Sequence, residues 1–225
     1  MRPSASAQQT PDALYADREN LESATLAAEA WERQLENDPR DFDAAWKLSR
    51  ARYWLGGHVT SRERSRLYEA GIAVARRAVL MESERAEGHF WIAANMGALA
   101  ESSGRLTGLR YRGDIKSHLE TVLSLGPGFQ KGSADRALGR WYMKVPGLFG
   151  GSDERSVEHL RSSLEYDPDS TASHFFLAET FVEMDRIEDA RSELQRVIDA
   201  PLDPAWAPED REFKHKAQEL LGQLR

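Results

Sequence analysis

The chain has 225 residues, of which 40% are hydrophobic and 30% are charged, with a net charge of −7 and no cysteine. This composition supplies enough apolar side chains for a continuous core, and the acidic balance disfavours bulk attraction to nucleic acid or to anionic lipid. The lack of cysteine excludes disulfides and thiolate metal ligands. No apolar run approaches the roughly 18 residues needed to cross a bilayer.

The N-terminal residues 1–13 are small and polar, and we predict that they are disordered. Ala5, Ser6 and Ala7 resemble the end of a secretory signal, but no apolar segment precedes them. An ordinary flexible terminus is therefore one interpretation, and it goes with a cytoplasmic protein. The other is a periplasmic protein whose export signal lies upstream of this chain.

The clearest pattern in the chain is a helical hairpin at residues 171–200. Leu177 and Phe181, with a small residue at Ala178 and another at Ala190, match the tetratricopeptide repeat, which is about 34 residues long. The small residues mark the point where the two helices of a hairpin approach closely, because a larger side chain there would overpack the contact.

The same register extends backwards through three more units, each with extra residues. The third unit has about five, in the loop VPGLFGGS at 145–152, and the first two have about ten each, around LGGHVTSRER and SSGRLTGLRYRG. The sequence thus predicts an all-α, tetratricopeptide-like superhelix of about ten helices, forming a single domain at 14–225. Its predicted parts are a capping helix at 14–37, repeats at about 41–82, 86–125, 134–167 and 171–200, and a C-terminal capping helix at 209–224.

No arrangement of residues typical of catalysis is found in the sequence. The histidines are scattered without metal-binding spacing, there is no GxSxG motif, and the glycine-rich loop lacks the Lys-Ser/Thr of a phosphate-binding loop. His89 and His174 lie at equivalent positions near the start of their hairpins, and we interpret both as packing residues. We therefore expect no enzymatic activity, no metal and no cofactor.

The first helix of each hairpin is expected to line an inner, concave surface. Arginine and large aromatic residues most often anchor a bound peptide or carboxylate. The alternative is that the aromatics are partly buried packing residues with solvated arginines beside them. The candidate binding residues on this surface are Trp46, Arg50, Tyr53, Phe90, Arg136, Arg140 and Phe175.

The loop at 145–152 is unusually apolar for a connection between helices. It includes Leu148 and Phe149, whereas loops that are merely solvated do not usually carry such a cluster. We expect the loop to fold back onto the helices, because monomers rarely expose such patches, and the alternative is a patch for a partner.

Two segments, FWIAANMG at 90–97 and GRWYMKVPGLFGGS at 139–152, resemble the T component of tripartite ATP-independent periplasmic (TRAP) transporters. A more distant similarity is to the regulator of microtubule dynamics family, which has a related Gly-Arg-Trp segment. The first resemblance implies a periplasmic helical-repeat protein that associates with the transporter's substrate-binding protein and encloses an apolar channel. It also implies that Trp91 and Asn95 face this channel and that Arg140, Trp141 and the loop shape it.

The function predicted from the sequence is a non-enzymatic scaffold or adaptor for a protein partner, in the manner of a TRAP-transporter accessory component. One alternative is a carrier of a hydrophobic or carboxylate-bearing small molecule, held near Trp91 and Trp141. The other is a general cytoplasmic protein-interaction module. Neither a nucleic-acid partner nor a membrane span is expected.

Overall fold

The computed structural model describes residues 9–224, except for the side chains of residues 105–107. Within this range the chain forms eleven α-helices and no β-strand, which confirms the predicted all-α fold. The helices are α1 (Pro11–Ala16), α2 (Leu21–Asn37), α3 (Phe42–Gly57), α4 (Ser61–Met81), α5 (Ala86–Ser103), α6 (Arg105–Leu125), α7 (Ser133–Lys144), α8 (Asp153–Tyr166), α9 (Thr171–Glu183), α10 (Ile187–Asp199) and α11 (Ala207–Gln223), with a short 3-10 helix at Gly147–Phe149.

Four helical hairpins, α3–α4, α5–α6, α7–α8 and α9–α10, correspond to the four repeats. The two helices of a hairpin approach closely at small residues, as the sequence predicts. Ala178 and Ala190 are completely buried. At the equivalent Gly139 a Cβ atom would lie 2.5 Å from Cγ of Leu160, so this helix contact requires glycine.

The extra residues of the first two repeats lengthen helices, whereas those of the third form a loop. Helices α4 and α6 each have 21 residues, compared with 14 in α8 and 13 in α10. The added stretch of the second repeat, at 102–113, is rich in Arg and Leu, which favour helix. In the third repeat Pro146 and three nearby glycines stop α7 instead. Gly104 alone separates α5 from α6, and its φ of 88° favours glycine.

The N-terminal region differs from its prediction in two ways. Helix α1 begins at Pro11, capped by the Thr10 hydroxyl oxygen, which accepts the Ala13 N–H at 3.2 Å, so the prediction of disorder is wrong for residues 11–13. The predicted disorder of residues 1–8 lies outside the described part of the chain. The predicted helix at 14–37 is broken in two, because Asn20 caps a new helix, α2, by accepting the Glu22 N–H at 3.1 Å.

The helices form an inner and an outer layer. The first helices of successive hairpins contact one another, α3 with α5, α5 with α7 and α7 with α9, and α9 contacts α11. These five helices make the inner layer, while α4, α6, α8 and α10 lie outside. The core fills the space between the layers in successive clusters, the first containing Trp31 in α2 and the last containing Ala217 in α11.

The two ends of the superhelix meet. Arg18, after α1, donates from Nε to Oε1 of Glu209 in α11 at 3.0 Å and from Nη2 to the Ala205 carbonyl at 2.9 Å. Arg211 donates to Glu19 at 2.7 Å. These contacts connect the segment between α1 and α2 to α11, so that the superhelix closes on itself.

Candidate functional site

The inner surface is built from equivalent positions on the inner helices. Because each helix repeats the same register, side chains at one position form a row that runs across the hairpins. One row consists of Trp46, Phe90, Arg136 and Phe175. The neighbouring row consists of Arg50, Ala94, Arg140 and Glu179. Most of these side chains are half-buried, whereas Phe175 is buried. The structure therefore brings the predicted aromatic and arginine residues onto one surface.

Arg140 is fully occupied by contacts within the protein. It donates to both carboxylate oxygens of Glu101, at 2.7 and 2.9 Å, and to Glu179 at 2.9 Å, and its guanidinium lies 4.4 Å from the centre of the Phe176 ring. Burial alone would raise the pKa of Glu101, but its hydrogen bonds to Arg140 hold it below the ordinary value. Arg140 therefore joins three inner helices and has little left to offer a partner.

Arg50 is covered by the N-terminal segment. Its guanidinium lies 4.1 Å from the Tyr15 ring centre and 4.9 Å from that of Trp46, and the nearest carboxylate, Asp12, is 3.9 Å away. Burial lowers the pKa of Arg50, and Tyr15 and Asp12 offset this only in part. Its Nε atom is buried without a hydrogen-bond partner in residues 9–224. Aromatic stacking under α1, rather than solvent, surrounds this cation.

Arg136 is the least satisfied of the predicted arginines. Its one hydrogen bond runs to the Ser170 hydroxyl at 3.4 Å, and it forms no ion pair with the residues that the structure describes. Burial lowers its pKa, and the more distant Asp167, Tyr53 and Asp210 only partly oppose that shift. Arg136 lines a cavity of about 340 Å³ between α7, α9 and α11. A half-buried cation with so few partners favours an anionic group nearby.

Trp91, Asn95 and Trp141 lie in the core and not on the wall of a channel, contrary to the expectation from the resemblance. Asn95 is completely buried, donates to the Ser49 hydroxyl at 3.1 Å and to the Trp91 carbonyl at 2.9 Å, and packs against Gly71. Trp141 is 8% exposed and donates to the Arg112 carbonyl at 2.9 Å. Hydrogen bonds between helices thus hold the Asn95 amide nitrogen and Trp141, while the Asn95 Oδ1 atom is buried without a partner in the described residues.

The loop at 145–152 is tight at its base and exposed at its tip. Ser152 donates its N–H to the Tyr142 carbonyl at 3.0 Å, and Val145 packs against the core. Leu148, however, is 90% exposed, and Phe149 is 41% exposed with Arg112 beside its ring. The expectation that the loop folds back is therefore wrong for its tip, and Leu148 and Phe149 form a small exposed apolar patch.

The histidines take part in a polar contact that recurs between the two helices of three hairpins. His89 meets His118 with their Nδ1 atoms 2.9 Å apart, Asp135 meets His159 at 2.7 Å, and His174 meets Glu193 at 2.5 Å. The Nε2 atoms of His89 and His174 contact equivalent inter-hairpin carbonyls, at Ser83 and Pro168, at 3.1 and 2.9 Å. This equivalence supports the interpretation of both as packing residues. In residues 9–224 no group of three or more His, Asp or Glu side chains is arranged to hold a metal ion.

Sequence reasoning missed two aromatic residues at the inner surface. Phe176 and Phe213 are half-buried, with ring centres 5.4 Å apart, and Phe213 lines the cavity beside Arg136. Phe175 and Phe176 are adjacent in a helix, so their two rings cannot both point into the core. The adjacent pair in the sequence therefore indicates that one of the two rings lies at the surface. For Phe213 no such signal exists, because α11 lies outside the four repeats.

The hairpins, their small contact residues and the inner rows define a tetratricopeptide-type helical-repeat protein. A tetratricopeptide-repeat family model matches residues 154–208. The model for regulator of microtubule dynamics protein 1-3 matches residues 8–149, which is more than half of the chain. The chain therefore belongs to the regulator of microtubule dynamics protein 1-3 family.

Solved structures with low sequence identity share the fold. TTC0263, a thermophilic TPR protein from Thermus thermophilus, is similar with a TM-score of 0.71 at 20% identity, covering 94% of this chain and 97% of that one. MamA is similar with a TM-score of 0.55 at 14% identity, covering 94% and 99%. No curated protein matches the chain. None of the helices described is both long enough and apolar enough to span a bilayer.

Proposed function

We propose that this protein is a non-enzymatic scaffold that binds a segment of a protein partner on its inner surface, with Tyr53 as the central contact. The observation that carries the proposal is the exposure of Tyr53, which at 38% is the one exposed large hydrophobic side chain on an inner helix within residues 9–224. Exposed aromatic side chains on a rigid base are frequent anchors in protein interfaces.

The surroundings of Tyr53 suit a bound segment. Its ring packs on Trp91 and Tyr68, with ring centres 5.6 and 6.2 Å away, so its position is fixed before binding. Ala94 and Gly97, at inner positions of the neighbouring helix α5, have small side chains and leave room beside it. The Tyr53 hydroxyl is protonated at neutral pH and is available as a hydrogen-bond donor.

Partner capture with matched variants tests the proposal. Tyr53→Ala should weaken capture of the partner by about tenfold or more, as expected for an interface anchor. Tyr166→Ala is the control, because Tyr166 has a similar exposure of 45% but lies on the outer helix α8. An equal effect of the two substitutions, or none from Tyr53→Ala, would count against the inner surface.

A finer proposal is that the partner is the substrate-binding protein of a TRAP transporter and that the protein works in the periplasm. What supports it is the resemblance of residues 90–97 and 139–152 to the T component. The burial of Trp91, Asn95 and Trp141 gives no support to the apolar channel that this resemblance implies. Co-purification with a TRAP substrate-binding protein is the expected result, and its absence in a cell that expresses both would contradict this version.

A further inference from the structure

The cavity between α7, α9 and α11 has the features of a small-molecule site. Its volume of about 340 Å³ falls in the range of ligand pockets. Its lining includes the guanidinium-bearing Arg136 and the aromatic residues Trp206 and Phe213. Such a combination of a charged group with an apolar wall is typical of sites that fix the orientation of a ligand.

Most charged groups around this cavity have an ion-pair or hydrogen-bond partner within the protein. Lys131 binds Asp203 at 2.5 Å and Asp167 at 3.7 Å, and Glu209 binds Arg18. Asp210 accepts the Thr171 hydroxyl at 2.6 Å and the Asp203 N–H at 2.8 Å.

Asp210 is held by these hydrogen bonds alone, and two further lining groups, of opposite sign, also lack an ion pair in residues 9–224. Neither Arg136 nor Asp169 forms an ion pair within the described range of the chain, although both line the cavity. Arg136 is half-buried, whereas Asp169 is exposed at the rim. The site therefore offers one cation and one anion to the same ligand.

The loop that enters the cavity carries a further unsatisfied group. Gln130 lines the cavity, and its side-chain oxygen is buried without a hydrogen-bond partner in the part of the chain that is described. Gln130 and Lys131 have φ values of 42° and 57°, a conformation that is costly for residues other than glycine. Strained backbone of this kind clusters at ligand sites.

We propose that the cavity binds a free α-amino acid with a large apolar side chain. Arg136 takes the carboxylate, the carboxylate of Asp169 takes the ammonium group, and Trp206 and Phe213 pack on the side chain. Each charge of the ligand then has a partner of opposite sign. This inference does not depend on the proposed partner site at Tyr53.

Titration calorimetry with L-phenylalanine and L-leucine tests the assignment on the purified protein. Both are expected to bind, whereas L-phenylalaninamide, which lacks the carboxylate, should bind about tenfold or more weakly. N-acetyl-L-phenylalanine separates a free amino acid from the end of a peptide chain, since it keeps the carboxylate and lacks the ammonium. Tighter binding of the acetylated compound would overturn the proposal and assign the site to a peptide terminus.

Substitution of Arg136 provides a second test of the proposal. R136Q should weaken L-phenylalanine binding by about tenfold or more, while R161Q, at an exposed position on α8, should leave it unchanged. R136Q removes a cation that lacks an ion-pair partner, so it should melt at the same temperature as the parent protein or higher, which shows that it is folded. No detectable binding of either amino acid to the parent protein, or equal binding by R136Q, would overturn the proposal.

Discussion

Arg18 and Glu209, 191 residues apart in the sequence, form an ion pair that connects the segment after α1 to α11. Arg18 is 4% exposed. Glu209→Gln would leave this buried cation without its carboxylate and should lower the free energy of unfolding by about 3 kcal/mol. Denaturant unfolding measures the loss.

An exposed ion pair provides the control for that substitution. Glu29 and Arg33 are 3.5 Å apart in α2, and both side chains are more than half exposed. Glu29→Gln should change stability by less than about 0.5 kcal/mol. A similar small change for Glu209→Gln would mean that the ends are held by packing alone.

Replacement of Gly139 tests the close helix contact of the third hairpin. The new Cβ atom of Gly139→Ala would lie 2.5 Å from the Leu160 Cγ atom and 3.1 Å from the Ser156 carbonyl oxygen, so the helices must move apart. We expect a loss of about 2 kcal/mol in thermal or denaturant unfolding. Gly97→Ala is the matched control, because nothing lies within 4 Å of its added Cβ, and it should stabilise α5 by about 0.5 kcal/mol. Equal effects would contradict the contact.

The contact between His58 and Glu212 predicts a pH range in which it stabilises the fold most. The hydrogen bond to Glu212 raises the pKa of His58, and the same bond lowers that of Glu212. The contribution of His58 to stability is complete below its ordinary pKa of 6.5 and is lost as the pH rises through the raised value. The contribution of Glu212 to stability is present above its ordinary pKa of 4.5 and is lost as the pH falls through the lowered value.

Unfolding measured across pH checks this window. The stability difference between the parent protein and Glu212→Gln should be largest between pH 4.5 and 6.5 and should shrink above it. Glu219→Gln is the comparison, since Glu219 pairs with the well-exposed His215 at 3.4 Å and should give a flat, small difference. A Glu212→Gln difference that does not vary with pH would contradict the coupling.

His118 should respond to acid in the opposite sense. Burial and the neighbouring His89 lower its pKa, so the unfolded chain takes up a proton near the ordinary value of 6.5 before the folded protein does. Stability therefore falls as the pH drops below 6.5. His118→Asn keeps a polar group near the Nδ1 position and should reduce this loss. An unchanged acid dependence of unfolding in the variant would contradict it.

The fold follows from the sequence because its repeat is marked by residues that have one structural role. Ala178, Gly139 and their equivalents lie where the helices of a hairpin touch, and these positions have little room for a larger side chain. The same reasoning failed for the added residues, since a count of extra positions does not distinguish a longer helix from a loop. Residues such as Arg and Leu at 102–113 carried that information through their helix propensity.

The site was less predictable, because its chemistry depends on contacts distant in sequence. Nothing near Arg140 reveals that Glu101 and Glu179 neutralise it, or that Arg136 lacks such partners. Trp206 and Phe213, which complete the cavity, come from a segment that no repeat register covers. Residue type identified the arginines. Only the packing of α5 and α9 around Arg140, and of α9 and α11 around Arg136, separates the satisfied arginine from the unsatisfied one.

Closure of the superhelix has a consequence for how the chain unfolds. In open repeat arrays each unit touches only its neighbours, so terminal units fray first and independently. Here α11 contacts the segment between α1 and α2 through Arg18 and Glu19, so we expect that neither α1 nor α11 frays independently of the other. Removal of α11 would expose the opposite terminus as well, and amide hydrogen exchange at the two ends should rise together.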